Sequence, residues 1–115
     1  LVTQGGTLLI AVPNPTSYDA QLLQSDWAAY DVPRHIWHFT PDSLTTLAER
    51  YGFRLEELRP MWLDVYYIAL MTQQQRGRKG LNAWLRAVAI GLWGNVRTLM
   101  DARAASSLIY LFRRV

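Results

Sequence analysis

The chain has 115 residues, half of them hydrophobic, no cysteine and a formal net charge of +3. This length limits the chain to one domain with a single core, and the hydrophobic content excludes a disordered protein. The lack of cysteine excludes disulfides, thiolate metal sites and cysteine nucleophiles, and it fits a reducing compartment such as the cytoplasm.

The charges are distributed unevenly along the chain. Residues 61–115 carry eight basic side chains against Asp64 and Asp101, whereas residues 1–60 carry more acids than bases. A basic half attracts phosphates, nucleic acid or anionic lipid, although only residues 76–79 form a cluster. No transmembrane segment is expected because charged side chains interrupt the most hydrophobic stretches, and the first residues lack the pattern of a signal peptide.

The first predicted element is a strand at residues 7–12, with the sequence TLLIAV. Glycines precede it and a Pro-Asn-Pro sequence ends it, so its length suits a strand rather than a helix. Apolar side chains on both faces predict a strand that is covered on both sides. The rest of the chain can supply only part of that cover, so the strand is expected to belong to a larger α/β sheet.

Residues 16–30 predict a short helix capped by Ser17, followed by a loop or a helical turn. Trp27 and Tyr30 are expected to point inward. The sequence leaves open whether these two aromatic side chains belong to the core or to the wall of a pocket.

Residues 31–41, with the sequence DVPRHIWHFTP, hold the densest set of chemically active side chains in the chain. Asp31, Arg34, His35 and His38 all lie there. Such a set on an ordered loop beside a strand end favours the rim of a ligand pocket, against the alternative of local packing and ion pairing. The two histidines lack additional nearby ligands, so no metal site is predicted.

Thr40 and Pro41 predict the start of a helix that runs to residue 51 and ends before Gly52. Its predicted buried stripe consists of Leu44, Leu47, Ala48 and Tyr51. After it, residues 53–59 begin by alternating apolar and charged side chains, which predicts an edge or near-edge strand with one solvated face.

Two further helices are predicted, at residues 61–75 and 81–99, from apolar side chains spaced by three or four. Their predicted stripes are Leu63, Tyr66, Tyr67, Leu70 and Met71 in the first helix, and Leu81, Leu85, Val88, Leu92, Val96 and Leu99 in the second. Gly91 and Gly94 either weaken the second helix or allow another element to approach closely. Residues 106–112 predict a last strand.

This order of elements resembles the closing half of a class I S-adenosylmethionine-dependent methyltransferase. GGTLLIAVPN at residues 5–14 looks like the fifth strand of that family, and residues 31–41 are similar to the segment before its last helix and sixth strand. The likeness is to a bacterial subgroup related to the ubiquinone-biosynthesis methyltransferases. It covers residues 5–60 well, residues 106–114 moderately and residues 61–105 loosely.

The resemblance implies an α/β fold that is the C-terminal portion of a Rossmann-like methyltransferase sheet. The expected sheet has three strands, with the last one antiparallel and inserted between the other two. Residues 1–115 would form a single partial domain, and residues 61–105 would be a helical insertion between its last two strands.

The resemblance also implies a cofactor, S-adenosylmethionine. The family holds it with a glycine-rich turn after the first strand and an acidic residue at the end of the second, and this chain has neither motif. The complete protein is therefore expected to bind S-adenosylmethionine, whereas residues 1–115 alone are not. The missing N-terminal half is the expected partner, and the protein is expected in the cytoplasm.

The predicted catalytic group is His35 as a base, with Asp31 orienting its ring and Arg34 holding an acidic acceptor. The acceptor is expected to be a small or lipid-like molecule. Its predicted contacts are Asn14, Trp27, Tyr30, His38, Tyr66 and Tyr67.

Two other functions remain open from the sequence. One is a non-catalytic interaction or dimerisation domain. The other is a basic helical module, with Trp84 and Trp93, that binds a membrane surface or nucleic acid. In isolation the chain is expected to self-associate through the unpaired edge of its first strand.

Overall fold

The computed structural model describes residues 2–30 and 37–115. Within these residues the sheet has three strands, β1 (Thr7–Pro13), β2 (Phe53–Pro60) and β3 (Ser107–Arg114). The strand order is β1-β3-β2, and β3 runs antiparallel to both neighbours. The predicted α/β class and the antiparallel insertion of the last strand are confirmed. Strand β2 lies at an edge, also as predicted.

The described helices are α1 (Tyr18–Leu23), α2 (Pro41–Arg50), α3 (Asp64–Gln75) and α4 (Gly80–Met100), with short 3-10 turns at Gln24–Asp26, Ala28–Tyr30 and Ala102–Ala104. Helices α3 and α4 both lie between β2 and β3 in the chain. In the part of the chain that the structure describes, no helix is both long enough and apolar enough to cross a membrane.

Helix α2 begins as the sequence predicts. The hydroxyl of Thr40 accepts a hydrogen bond from the amide of Ser43 at 3.0 Å, and the Ser43 hydroxyl accepts one from the amide of Thr40 at 2.8 Å. This reciprocal cap satisfies donors that the first turn leaves unpaired. Pro41 occupies the first turn, and Gly52, at a φ of 85°, takes the left-handed conformation just after the helix.

The main core lies between α2 and one face of the sheet. Leu44 and Ala48 of α2 pack with the inward side chains of β3, which are Leu108, Tyr110 and Phe112. The predicted burial of Leu47 and Tyr51 was wrong, because their side chains are 37% and 74% exposed. The short helix presents a single line of residues to the sheet, and Tyr51 already follows its last residue.

The sequence predicts cover on both faces of β1, and residues 2–30 and 37–115 cover only one of them. Leu8, Ile10 and Val12 pack against the core, but Leu9 on the other face is 60% exposed. Among the described residues no strand pairs with the outer edge of β1.

Helices α3 and α4 pack against each other through a seam of small side chains. On α4 the buried residues are Ala83, Ala87, Gly91, Gly94 and Thr98, and Gly91 and Gly94 lie against Tyr66 and Val65 of α3. The large apolar side chains of α4 are exposed instead, and on the preceding segment Leu63 and Tyr67 are 79% and 66% exposed. Small residues let the two backbones approach, so the larger side chains point away from the seam.

Gly91 allows the closest approach in this seam. A Cβ atom on Gly91 would lie 2.2 Å from the ring of Tyr66, whereas one on Gly94 would lie 3.3 Å from Val65. The Tyr66 ring is also held by its hydroxyl, which accepts a hydrogen bond from Asn95 at 3.2 Å. The sequence predicted that these glycines either weaken the helix or allow another element to approach closely, and the close approach is confirmed.

We expect Gly91→Ala to destabilise the protein even though alanine favours helix. Overpacking costs about 1–3 kcal/mol, which exceeds the gain in helix propensity of about 1 kcal/mol. The measurement is the free energy of unfolding in denaturant, with Gly94→Ala as the matched control. A Gly91→Ala protein more stable than the wild type would contradict the close packing of Tyr66.

Tyr110 is fully buried, and its ring stacks parallel to that of Phe112 with 5.9 Å between centroids. Its hydroxyl has no hydrogen-bond partner among the residues that the structure describes. Burial raises the pKa of Tyr110 from 10.0 to about 12. A raised pKa means that the folded state resists ionisation of this hydroxyl more than the unfolded state does.

We therefore expect Tyr110→Phe to keep or slightly raise the free energy of unfolding at neutral pH, because it removes an unpaired buried hydroxyl. The matched change Tyr66→Phe removes a bonded hydroxyl and should cost about 1 kcal/mol. Below pH 10 the free energy of unfolding of the wild type includes the full contribution of Tyr110, and this contribution is lost as the pH rises toward about 12. Tyr110→Phe has no hydroxyl to ionise at this position and does not show the loss. If thermal melts show that the wild type and Tyr110→Phe lose the same stability at alkaline pH, this account is contradicted.

Candidate functional site

A cavity of about 380 Å³ lies beside the C-terminal end of β1. Strand β1, the turn Ala28–Tyr30 and helix α3 form its walls. The lining residues are Ala11, Val12, Pro13, Ala28, Ala29, Met61, Asp64, Tyr67, Ile68, Met71 and Ser107. Open α/β sheets bind their ligands beyond the carboxyl ends of their parallel strands, so this is the expected side of the sheet for a site.

The lining is mostly apolar, with few polar side chains. Asp64 stands in the first turn of α3, and Tyr67 follows one turn later with 66% of its side chain exposed. Ser107 begins β3 on the opposite wall. An apolar slot with a carboxylate and a phenol suits a small, mainly apolar ligand that carries a hydroxyl or another hydrogen-bonding group.

The carboxylate of Asp19 lies behind the pocket wall and is almost fully buried. Its Oδ2 atom accepts hydrogen bonds from Trp27 Nε1 and from Ser106 Oγ, both at 2.7 Å. The amide of Ala28 donates to the hydroxyl of Thr72 at 2.9 Å. These bonds tie the turn Ala28–Tyr30 to α1, to α3 and to the start of β3, and so they set the width of the pocket.

Asn14 forms a second buried polar junction, at the end of β1. Its Nδ2 atom donates to the carbonyl oxygens of Arg103 at 2.6 Å and Ala105 at 3.0 Å. Its Oδ1 atom accepts from the amide and the hydroxyl of Thr16 at 3.1 Å and 2.6 Å. The side-chain amide of Asn14 is therefore fully engaged with the protein, and it anchors the segment before β3 to the end of β1.

An aromatic row runs from the pocket wall toward residue 38. Trp27 is 1% exposed and meets Tyr30 edge to face, with 5.0 Å between ring centroids. Tyr30 meets His38 in the same way, also at 5.0 Å. Tyr30 lines a smaller neighbouring cavity of about 240 Å³, together with Asp26 and Arg76, which form an ion pair at 2.9 Å.

The structure thus separates the predicted acceptor contacts. Tyr67 lines the main pocket, Trp27 lies behind its wall, and Tyr30 and His38 extend away from it. Asn14 is buried at the end of β1, and Tyr66 packs beneath Gly91. The predicted catalytic residues Asp31, Arg34 and His35 lie outside the described residues, and the roles of the whole set stay predictions.

Sequence reasoning missed Asp19 and Asp64. Asp64 is the last acidic residue before a long stretch without carboxylates, and this isolation is a sequence signal that could have marked it as a candidate site residue. Asp19 shows no signal of its own, because only the fold brings it to Trp27 and Ser106. Among residues 2–30 and 37–115 no group of three or more His, Asp or Glu side chains has a geometry that could hold a metal ion.

A protein family described as a methyltransferase domain matches residues 1–58 of the chain. The chain belongs to this family. Among solved structures it is similar to YjhP from E. coli, at 13% identity and a TM-score of 0.43, over 98% of this chain and 47% of YjhP. It thus spans about half the length of that protein. No curated protein matches it.

The residues that match the methyltransferase-domain family form only part of the pocket. Residues 1–58 include β1, α1, the turn Ala28–Tyr30 and α2. The remaining wall, with Asp64 and Tyr67, comes from helix α3 beyond the matched residues. The pocket is therefore built jointly by the family's shared part and by the helical segment that follows it.

We expect Asp19→Ala to destabilise the methyltransferase domain strongly. The change leaves the indole N–H of Trp27 and the hydroxyl of Ser106 without their acceptor in a buried site, at about 1–3 kcal/mol for each group. The measurement is the free energy of unfolding. Asp26→Ala is the control, since its exposed pair with Arg76 should be worth less than about 1 kcal/mol. Equal effects of the two changes would contradict the junction.

Proposed function

We propose that this chain forms the acceptor-binding part of an S-adenosylmethionine-dependent methyltransferase. The observation that carries the proposal is the apolar pocket beside the C-terminal end of β1, in a chain of the methyltransferase-domain family. Asp64 and Tyr67 supply its hydrogen-bonding groups. The acceptor is then a small or lipid-like molecule with an apolar body.

We also propose that the chain is the C-terminal half of its domain. The order β1-β3-β2 with an antiparallel β3 is the arrangement expected of strands five, seven and six of the family's sheet. The uncovered edge of β1 is then the place where the preceding strand pairs, in the same protein or in a second copy. The apolar lining of the pocket supports the further proposal of a bacterial, cytoplasmic enzyme related to the ubiquinone-biosynthesis methyltransferases.

The residues of the pocket do not fit S-adenosylmethionine itself. That cofactor carries an ammonium, a carboxylate and a ribose, which need several charged and hydrogen-bonding partners, whereas the lining is mostly apolar. The glycine-rich turn that would hold it is absent from this sequence. The pocket is therefore assigned to the acceptor, and the cofactor site to residues outside this chain.

The chain's own contribution to methyl transfer is then positioning and exclusion of water. The apolar walls hold the acceptor body in one orientation, which lowers the entropic part of the barrier. A hydroxyl acceptor can donate a hydrogen bond to Asp64, and it must lose its proton as the new bond forms. His35 remains the proposed base for that proton, with Asp31 and Arg34 as its proposed neighbours.

Tyr67→Ala in the full-length protein tests the acceptor pocket. The probe is transfer of label from methyl-tritiated S-adenosylmethionine to a crude extract of apolar small molecules. Loss of an apolar wall should raise the acceptor concentration needed for half-maximal rate by about tenfold. The affinity for S-adenosylmethionine, measured by calorimetry, should stay unchanged.

The control for this experiment is Tyr51→Ala, since Tyr51 is 74% exposed against 66% for Tyr67 but lies on α2, away from the pocket. It should leave both measurements unchanged. Identical behaviour of the two variants would overturn the pocket assignment, and a full-length protein that fails to bind S-adenosylmethionine would overturn the enzyme class.

A further inference from the structure

The outward face of α4 is lined by large apolar side chains along its whole length. Its members are Leu81, Trp84, Leu85, Val88, Leu92, Trp93, Val96 and Leu99, with exposures from 38% for Val88 to 77% for Leu99. We call these eight residues the outer face. At about 1.5 Å per residue the helix is roughly 31 Å long. An apolar stripe of this length exceeds what a monomeric surface normally leaves in water, so it calls for a partner.

The outer face is distinct from the seam that packs on α3. At about 100° per residue its centre lies roughly 140° around the helix from the seam of Ala87, Gly91 and Gly94. Gly91 and Gly94 lie against Tyr66 and Val65 of α3. Residues of α3 therefore cannot cover the outer face.

The charged side chains of α4 and of the turn before it are all basic, and Asp101 follows the helix directly. Residues 65–100 contain Arg76, Arg78, Lys79, Arg86 and Arg97 and no aspartate or glutamate. Among the ion pairs between described residues only Arg76 of this set takes part, with Asp26. The same helical geometry places Arg86 and Arg97 on the flank between the outer face and the seam, on the side of Trp93.

The charge pattern decides between possible partners. A second copy docked through the same face would bring these cations close to their own counterparts, which is unfavourable. Nucleic acid would use the cations but would leave the long apolar stripe in water. An anionic lipid surface suits both the cations and the apolar stripe, because its phosphates attract the cations and its acyl boundary accepts leucine and tryptophan.

We propose that α4 is a membrane-surface anchor that lies in the plane of an anionic lipid bilayer. The outer face enters the boundary between headgroups and acyl chains, with Trp84 and Trp93 at the interface. Lys79 and Arg78, before the helix, and Arg86 on its flank contact lipid phosphates. Docking of this kind does not depend on methyl transfer.

One consequence rests on the proposed function. Helix α3 contributes Tyr67, Ile68 and Met71 to the pocket and packs with its other side on α4. Packed helices lie about 8–10 Å apart and the pocket lies on the far side of α3, so docking of α4 would hold the pocket about two helix diameters from the lipid. An apolar acceptor could then pass from the membrane to the pocket over a short path.

Vesicle binding by the full-length protein tests the anchor. The probes are vesicles of phosphatidylcholine alone and of phosphatidylcholine mixed with phosphatidylglycerol, and binding is measured by co-sedimentation. We expect binding to the anionic vesicles that weakens with added salt. The double variant Leu85→Gln/Leu92→Gln should bind at least about tenfold more weakly, because it removes apolar area from the outer face.

Two matched controls accompany these variants. Leu22→Gln/Leu63→Gln changes two other exposed leucines, at 50% and 79% exposure, and should leave binding unchanged. Lys79→Gln/Arg86→Gln should weaken binding by about fivefold for each charge removed. Arg50→Gln/Arg54→Gln makes the same change of net charge on α2 and β2 and should have little effect.

Several outcomes would overturn the anchor. These are a lack of preference for anionic vesicles, equal binding by the outer-face variant and its leucine control, and dissociation of a dimer by Leu85→Gln/Leu92→Gln in sedimentation. Nucleic-acid binding that depends on Lys79 and Arg86 without vesicle binding would overturn it as well. Thermal melts check folding, and if the leucine variant unfolds, the charge variants and their control decide the result. Loss of vesicle binding would leave the Tyr67 experiment unaffected, so the two proposals fail separately.

Discussion

The sheet of this chain depends on its last strand. Strand β3 hydrogen-bonds along its length to both β1 and β2, which do not pair with each other among the described residues. Its inward side chains, Leu108, Tyr110 and Phe112, are fully buried and form the floor on which α2 packs. The residues that join β1 to β2 therefore cannot form this core until the last strand has returned across the helical pair, which makes the fold depend on long-range contacts.

Two buried polar junctions fix the start of β3 against β1 and α1, and they shape the pocket. Asn14 joins the end of β1 to the residues before β3, and Asp19 joins α1 to Trp27 and Ser106. Each junction uses side-chain groups that would also suit a ligand site, but here these groups bond to other parts of the protein. The neighbouring cavity is left mostly apolar, with Asp64 and Tyr67 as its polar groups, and this contrast favours an apolar acceptor.

Local chemistry in the sequence determined the elements and much of their order. The apolar run before Pro13, the Thr40 and Pro41 start of α2, and Gly52 after it are short-range signals, because caps, turns and strand lengths depend on adjacent residues. The same local motifs carried the resemblance to methyltransferases, and the family match over residues 1–58 covers this part of the chain. Tyr67 was singled out by its helical spacing as a core or pocket aromatic, and it lines the main pocket.

Only the tertiary structure decided which side of each helix is covered. Periodicity shows that the large apolar residues of α4 share a face, but it does not show whether that face meets protein, and here the small residues around Gly91 and Gly94 are buried instead. Backbone proximity in the helical pair favours small side chains, so the usual rule that large apolar residues lie inside is reversed on this helix. The buried role of Asp19 likewise follows from contacts between residues far apart in the chain, Ser106 above all, which no local pattern encodes.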